Sequence, residues 1–210
     1  MKTLAGLLIL FLVSVFMVSC RKEEVPENTM SADQVPNSPG DYWKYSIKSF
    51  TGEKKGFLEV RIIKKDTLPD GRPVTTWIYS YPEFTDTIYK VRSDTSFEEY
   101  TIFPTTTGDS NPVMRYIFPL EPGMKWAINS TQYTDSVKVM SETTVTVPAG
   151  LFDHSMELGF IATHHIGNYW NSSLYWFTPH IGISRMEYAV YSLGFDEHYG
   201  IYELLEYRLK

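Results

Sequence analysis

From Tyr42 onward the chain alternates between apolar and polar residues with a period near two. Leu58, Val60 and Ile62 share one side of such a run, while Glu59, Arg61 and Lys64 flank them. Trp77, Tyr79 and Tyr81 share a face, as do Val137, Val139, Val145 and Val147 in a run relieved by Ser141 and Thr143. Met186, Tyr188 and Val190 alternate, followed by Tyr199, Ile201, Leu205, Tyr207 and Leu209. In a strand successive side chains point to opposite faces, so this pattern in Val-, Thr- and Tyr-rich runs specifies half-buried antiparallel strands. Helical periodicity is nearly absent. Turn sequences punctuate the runs: Asp70-Gly71, Gly108 to Pro112, and Pro148-Ala149-Gly150. The expectation is an all-β domain of ten or more strands, built as a strongly curved antiparallel sheet (half-barrel or barrel-like), with a sandwich as the alternative.

The amino terminus has a different character. Lys2 precedes an unbroken apolar or small run from Leu4 to Val18, which is shorter than the roughly 20 residues a helix needs to cross a bilayer. Val18-Ser19-Cys20 follows, and then Arg21-Lys22-Glu23-Glu24. A charged start, an apolar middle and small residues before a cleavage point define a secretory signal over residues 1–19. The stretch resembles a bacterial lipobox, with Met17 where Leu is usual. The resemblance implies that Cys20 is lipidated through its thiol and anchors the chain to a membrane. Cys20 is the single cysteine, so the domain can form no internal disulfide and its stability must come from its core.

Residues 21 to about 38 are polar, proline-bearing and aperiodic, and read with Cys20 as a flexible tether over 20–38. The domain is then 39–210, with a two-part division into 39–119 and 120–210 as an open alternative. That alternative rests on Pro39-Gly40-Asp41-Tyr42-Trp43 and Pro122-Gly123-Met124-Lys125-Trp126, which share Pro-Gly-x-x-Trp. The net charge of −6 becomes one unit more acidic once Lys2 leaves with the signal, and it argues against nucleic-acid binding. Fifteen Tyr, twelve Phe and five Trp supply what a chain short of long aliphatic strands needs for a core.

Three segments carry a resemblance: Phe118 to Trp126, Val145 to Asp153, and Tyr175 to Ile183. They resemble a group of uncharacterised β-rich lipoproteins and periplasmic domains of Gram-negative bacteria, especially Bacteroidota. Members share a G-x-x-W strand start, a V-P-A-G-x-F turn and a late Y-W-x-x-P-x-x-G-I/V segment. The likeness spans roughly residues 40–210 and implies a curved sheet, with a half-barrel like those of lipoprotein carriers. His180 alters the usual second Gly-aromatic turn. The motifs are turn and core signatures, so no functional residue carries over. Arg21-Lys22-Glu23-Glu24 also looks like the tract that sends Bacteroidota lipoproteins to the cell surface. Asp66-Thr67-Leu68, Asp86-Thr87-Ile88 and Asp135-Ser136-Val137 resemble that phylum's O-glycosylation motif, marking Thr67, Thr87 and Ser136.

Chemistry-bearing patterns are weak. His164 and His165 would face opposite sides of a strand, and zinc spacing is missing, so no metal or cofactor is expected. Gly182-Ile183-Ser184-Arg185 lacks the second glycine of a nucleophile elbow. Glu98-Glu99, and Glu203 with Glu206, are the carboxylates a glycosidase pair would draw on, but any acidic β-protein has such residues. Trp77, Tyr79 and Tyr81, with Trp170, Tyr175 and Trp176 elsewhere, either fill the core or line a face that stacks on a lipid or glycan. The sequence therefore points to a non-enzymatic binding or envelope component, anchored in the outer membrane. The cell surface is one placement and a periplasm-facing one the alternative. The competing readings are an assembly lipoprotein working through envelope-protein contacts and, behind it, a hydrolase.

Overall fold

The computed structural model describes residues 29–104, 112–129, 134–163, 170–192 and 195–210. The periodicity is realised as twelve antiparallel strands in one sheet. They are β1 (Tyr42–Lys48), β2 (Lys54–Thr67), β3 (Pro73–Ser80), β4 (Thr85–Arg92), β5 (Ser96–Tyr100) and β6 (Met114–Ile117), then β7 (Lys125–Asn129), β8 (Thr134–Val147), β9 (Gly150–Thr163), β10 (Trp170–Thr178), β11 (Gly182–Ser192) and β12 (Phe195–Arg208). Each strand pairs with its chain neighbours, and β1 also pairs with β12, from Tyr42 opposite Arg208 to Lys48 opposite Ile201. The sheet order therefore runs from β6 inward to β1, across to β12, and back out to β7. Its two edges are β6 and β7, adjacent in sequence, and the sheet curls into a nearly closed barrel with its seam between them. The sandwich alternative is not what forms.

Bulges supply part of the curvature by adding a residue to one strand of a pair and sharpening its twist. They occur in β12 at Leu205, opposite Lys44 and Tyr45, in β2 between Ile62 and Lys64, and twice in β8. The inner wall takes one parity of each strand. Leu58, Val60 and Ile62 are buried, while Arg61, Ile63 and Lys64 on the same strand are exposed. An apolar interior and a charged exterior invert the pattern of a membrane-spanning barrel, whose apolar band faces lipid.

The two Pro-Gly-x-x-Trp matches lead into β1 and β7, the first strands of two six-strand meanders. Gly40 (φ +97°) and Gly123 (φ +92°) adopt backbone conformations that side chains resist, which explains the glycine in both turns. Each tryptophan then reaches into the other meander. Trp43 Nε1 donates to the Ile181 carbonyl at 2.7 Å, and Trp126 Nε1 donates to the Arg115 carbonyl of β6 at 2.8 Å. The second of these bonds crosses the seam.

The tether expectation needs correction at its end. Residues 29–38 form a strap that packs on the barrel, so the folded region begins near Met30 rather than at Pro39. Met30 and Leu120 exchange backbone hydrogen bonds of 3.1 and 2.8 Å. A 3-10 turn over Ala32–Gln34 follows, with Ser31 N donating to Gln34 Oε1 at 2.8 Å. The Gln34 carbonyl then accepts from His180 N at 2.7 Å, and Thr75 Oγ1 donates to Asn37 Oδ1 at 2.6 Å. Met30, Ala32 and Val35 join the main core. Among mostly polar neighbours, three apolar side chains were enough to bury this segment. Each contributes on the order of the 1.5–3 kcal/mol that full burial of a medium-sized apolar side chain is worth, Ala32 less.

Candidate functional site

The inward register of β1, β3, β5 and β6 builds an aromatic column through the barrel. Trp43 stacks on Trp77 with centroids 5.2 Å apart and planes 10° from parallel. Trp77 meets Phe97 edge-on at 6.2 Å, and Phe97 leads to Tyr116 at 6.4 Å. Tyr116 touches Phe177 of β10 at 4.9 Å and Phe160 of β9 at 5.9 Å, so the column joins the two meanders. Phe160 in turn meets Tyr175 at 4.7 Å. Such offset and edge-on contacts add to the apolar burial of large rings.

A charged pair sits inside this column. Register places Thr75, Lys90 and Glu99 side by side on β3, β4 and β5, facing inward. Lys90 Nζ lies 2.6 Å from Glu99 Oε1, with their side chains only 3% and 17% exposed. The ammonium also lies 4.1 Å from the Trp77 ring centroid and 5.4 Å from those of Tyr79 and Phe97. A buried cation needs such compensation, because desolvation costs several kcal/mol per ion.

Tyrosines surround the acid. Burial, and then the Glu99 charge, push the hydroxyls of Tyr79, Tyr116 and Tyr175 well above the ordinary phenol range. Tyr81 is pushed up to about 12 by burial, with Tyr202, Asp86 and Glu99 adding smaller effects. Burial also raises Tyr188 and Tyr202. These phenols stay protonated as hydrogen-bond donors, and none of them is activated as a nucleophile.

The sequence-derived candidates therefore take different places. Trp77 is buried in the column, and Tyr79 lies beside it at 6.5 Å. Tyr81 stands further along the same face, stacked on Phe84 at 4.5 Å. Trp77 and Tyr79 do line a cavity, together with Trp43, Lys90, Glu99 and Met186, but its volume is ≈ 40 Å³. That accommodates one to a few water-sized molecules, against the roughly 300–1,000 Å³ of typical ligand pockets. Thr67 and Thr87 are exposed on β2 and β4, while Ser136 is half-buried on β8. Cys20 lies outside the described residues, as do His164, His165 and the side chains of Trp170 and His198.

The paired carboxylates do not converge. Glu99 faces inward to Lys90, whereas its neighbour Glu98 binds Arg115 at 2.7 Å and the Tyr100 hydroxyl at 2.6 Å on the opposite face. Glu203 pairs with Lys48, and Glu206 is exposed. His154 pairs with Glu142 on the surface, and His180 occupies an exposed turn at φ +63°. Among the described residues no three His, Cys, Asp or Glu side chains are grouped to hold a metal.

A second surface lies at the rim of the barrel. Phe50, Phe57, Phe84, Ile102 and Val113 are all exposed, and they belong to the β1–β2, β3–β4 and β5–β6 connections or the strand ends beside them. In a meander these connections lie at one end of the barrel, opposite the strap. Gly56 brings its neighbours close enough that an added Cβ would lie 2.6 Å from Pro82, so adjacent hairpins touch there. The signal was present as apolar residues out of phase with their strands, but single exposed apolar residues are common enough to hide it.

The fold has solved counterparts. A candidate lipoprotein from Parabacteroides distasonis ATCC 8503 superposes with a TM-score of 0.50 at 13% identity, covering 83% of this chain and 98% of the other. A candidate exported protein with a YmcC-like fold from Bacteroides fragilis NCTC 9343 superposes with a TM-score of 0.51 at 18% identity, with the same coverage. At these identities the likeness shows a shared fold. No protein-family model matches the chain. No curated protein matches it either.

Proposed function

We propose that this chain is a lipid-anchored envelope protein of a Gram-negative bacterium, working without catalysis as a rigid scaffold that recognises other envelope components through its outer surface and rim. The observation that carries this reading is the filled interior around the aromatic column, among the described residues. The Trp43–Trp77–Phe97–Tyr116–Phe177 column and the Lys90–Glu99 pair leave ≈ 40 Å³, which is too little for an acyl chain or a sugar. The exposed apolar residues at the rim fit contact with a protein partner. The signal-like segment ending at Cys20 supports the anchor, and the descriptions of the two fold neighbours as lipoprotein and exported protein agree with an envelope location. The Arg21–Glu24 tract favours the outer membrane and its surface face.

Native mass spectrometry of residues 21–210, purified from a Gram-negative host, tests the scaffold reading. The expected result is the bare polypeptide mass. A co-purifying lipid that is lost on Trp77→Ala would show that the barrel opens to hold cargo.

A second reading is glycan contact at the mouth. There Tyr81, Tyr188 and Tyr202 are half-buried with their hydroxyls kept protonated, the combination of ring face and donor that stacks on sugars.

A further inference from the structure

We propose that the polar groove between the strap and the ends of β2 and β4 is a binding site for a phosphate group. The groove has a volume of ≈ 290 Å³ and lies at the strap end of the barrel. Its cationic lining comes from three separate elements, Lys65 on β2, Arg92 on β4 and Lys210 after β12, with His180 of the β10–β11 turn beside them. Three permanent cations thus converge in a protein whose net charge is −6.

Among the described residues no carboxylate lies within ion-pair distance of Lys65, Arg92 or Lys210, although every other cation of the first meander except Lys54 is paired. Arg92 makes one long contact, 3.5 Å to the Val35 carbonyl, which leaves most of its guanidinium donors for a ligand. Two acids in the groove, Asp33 and Asp41, offset part of this charge, and each is hydrogen-bonded to neighbouring donors. Asp41 accepts from Ser38 N at 2.8 Å and from Lys210 N at 2.9 Å. Asp33 accepts from the Ser31 hydroxyl, and that bond, ahead of weaker pulls from Arg92 and His180, holds its carboxyl below the usual range.

The chemistry selects phosphate. A planar guanidinium flanked by ammonium groups matches a tetrahedral dianion through charge-assisted, forked hydrogen bonds. The volume leaves room for a small substituent beyond the phosphate itself. A membrane headgroup and a free phosphate ester share this chemistry. Cys20 lies nine residues before Thr29, a span of at most about 30 Å when extended, so a lipid-anchored chain would carry the groove near the headgroups.

Calorimetry on residues 21–210 with inorganic phosphate, and sedimentation with phosphatidylglycerol vesicles, test the site. Wild type should bind at least one probe, and Arg92→Gln and Lys65→Gln should each weaken binding by roughly tenfold. Phosphate binding identifies a soluble ester as the source, and vesicle binding alone identifies a headgroup. Lys65 is exposed, so Lys65→Gln decides the matter should Arg92→Gln disturb the strap. Silence with both probes, or binding indifferent to both substitutions, overturns the proposal and leaves the filled-barrel reading untouched.

Discussion

Lys90 and Glu99 face each other across β4 and β5 inside the barrel, 2.6 Å apart and roofed by the Trp77 ring. Removing one partner strands a buried charge. Glu99→Ala is expected to destabilise the fold by about 3–5 kcal/mol in urea unfolding, whereas Lys90→Met with Glu99→Leu should fall within about 2 kcal/mol of wild type. A double variant as unstable as the single one would show that packing, not charge, holds this layer.

The buried phenols set the alkaline limit. Tyr79, Tyr81, Tyr116 and Tyr175 are all raised in the folded state, Tyr81 to about 12. A raised phenol binds its proton more tightly when folded, so its stabilisation is complete below about pH 10 and is lost as pH climbs through the folded value. Phenolate absorbance should therefore lag a free-tyrosine titration and then rise together with loss of the β-sheet circular dichroism signal. A smooth titration near pH 10 with the fold intact would contradict the burial.

The strap is structural. Met30 is fully buried and bridges Leu120 beside the seam. Met30→Ala should cost about 2–5 kcal/mol by the cavity argument, while Ile102→Ala at the 72%-exposed rim should stay within about 0.5 kcal/mol. Denaturant midpoints compare the two directly.

The seam has its own clasp. Trp126→Phe removes the indole hydrogen bond to Arg115 and leaves a smaller aromatic ring, and should cost about 1–2 kcal/mol. Amide exchange should quicken chiefly in β6 and β7, the strands with a free edge. Uniform acceleration around the barrel would mean that the two edges are held by other contacts.

How far the sequence foretold this can be traced residue by residue. The inward parity of Leu58, Val60 and Ile62, and of Trp77 and Tyr79, was legible because one-face burial imposes period two. The β1–β12 pairing that curls the sheet was not, since no local pattern ties Tyr42 to Arg208. Met30, Ala32 and Val35 went unread as core because they sit in a polar, aperiodic stretch. Nothing local in the sequence links Lys90 to Glu99, and only the register of β4 on β5 makes them a buried pair. The phosphate groove draws on four distant segments, which places it beyond any motif.

The anchor is the part of the account on which the rest of the placement depends. A charged outer wall gives the barrel no means of entering lipid, so Cys20 should be its hold on the membrane. Full-length wild type and Cys20→Ala are to be expressed in a Gram-negative host and separated into membrane and soluble fractions at high salt. Wild type should sediment with the membrane, and Cys20→Ala should move, folded, to the soluble fraction. Cys20→Ala that remains with the membrane would contradict the lipid anchor and require another attachment.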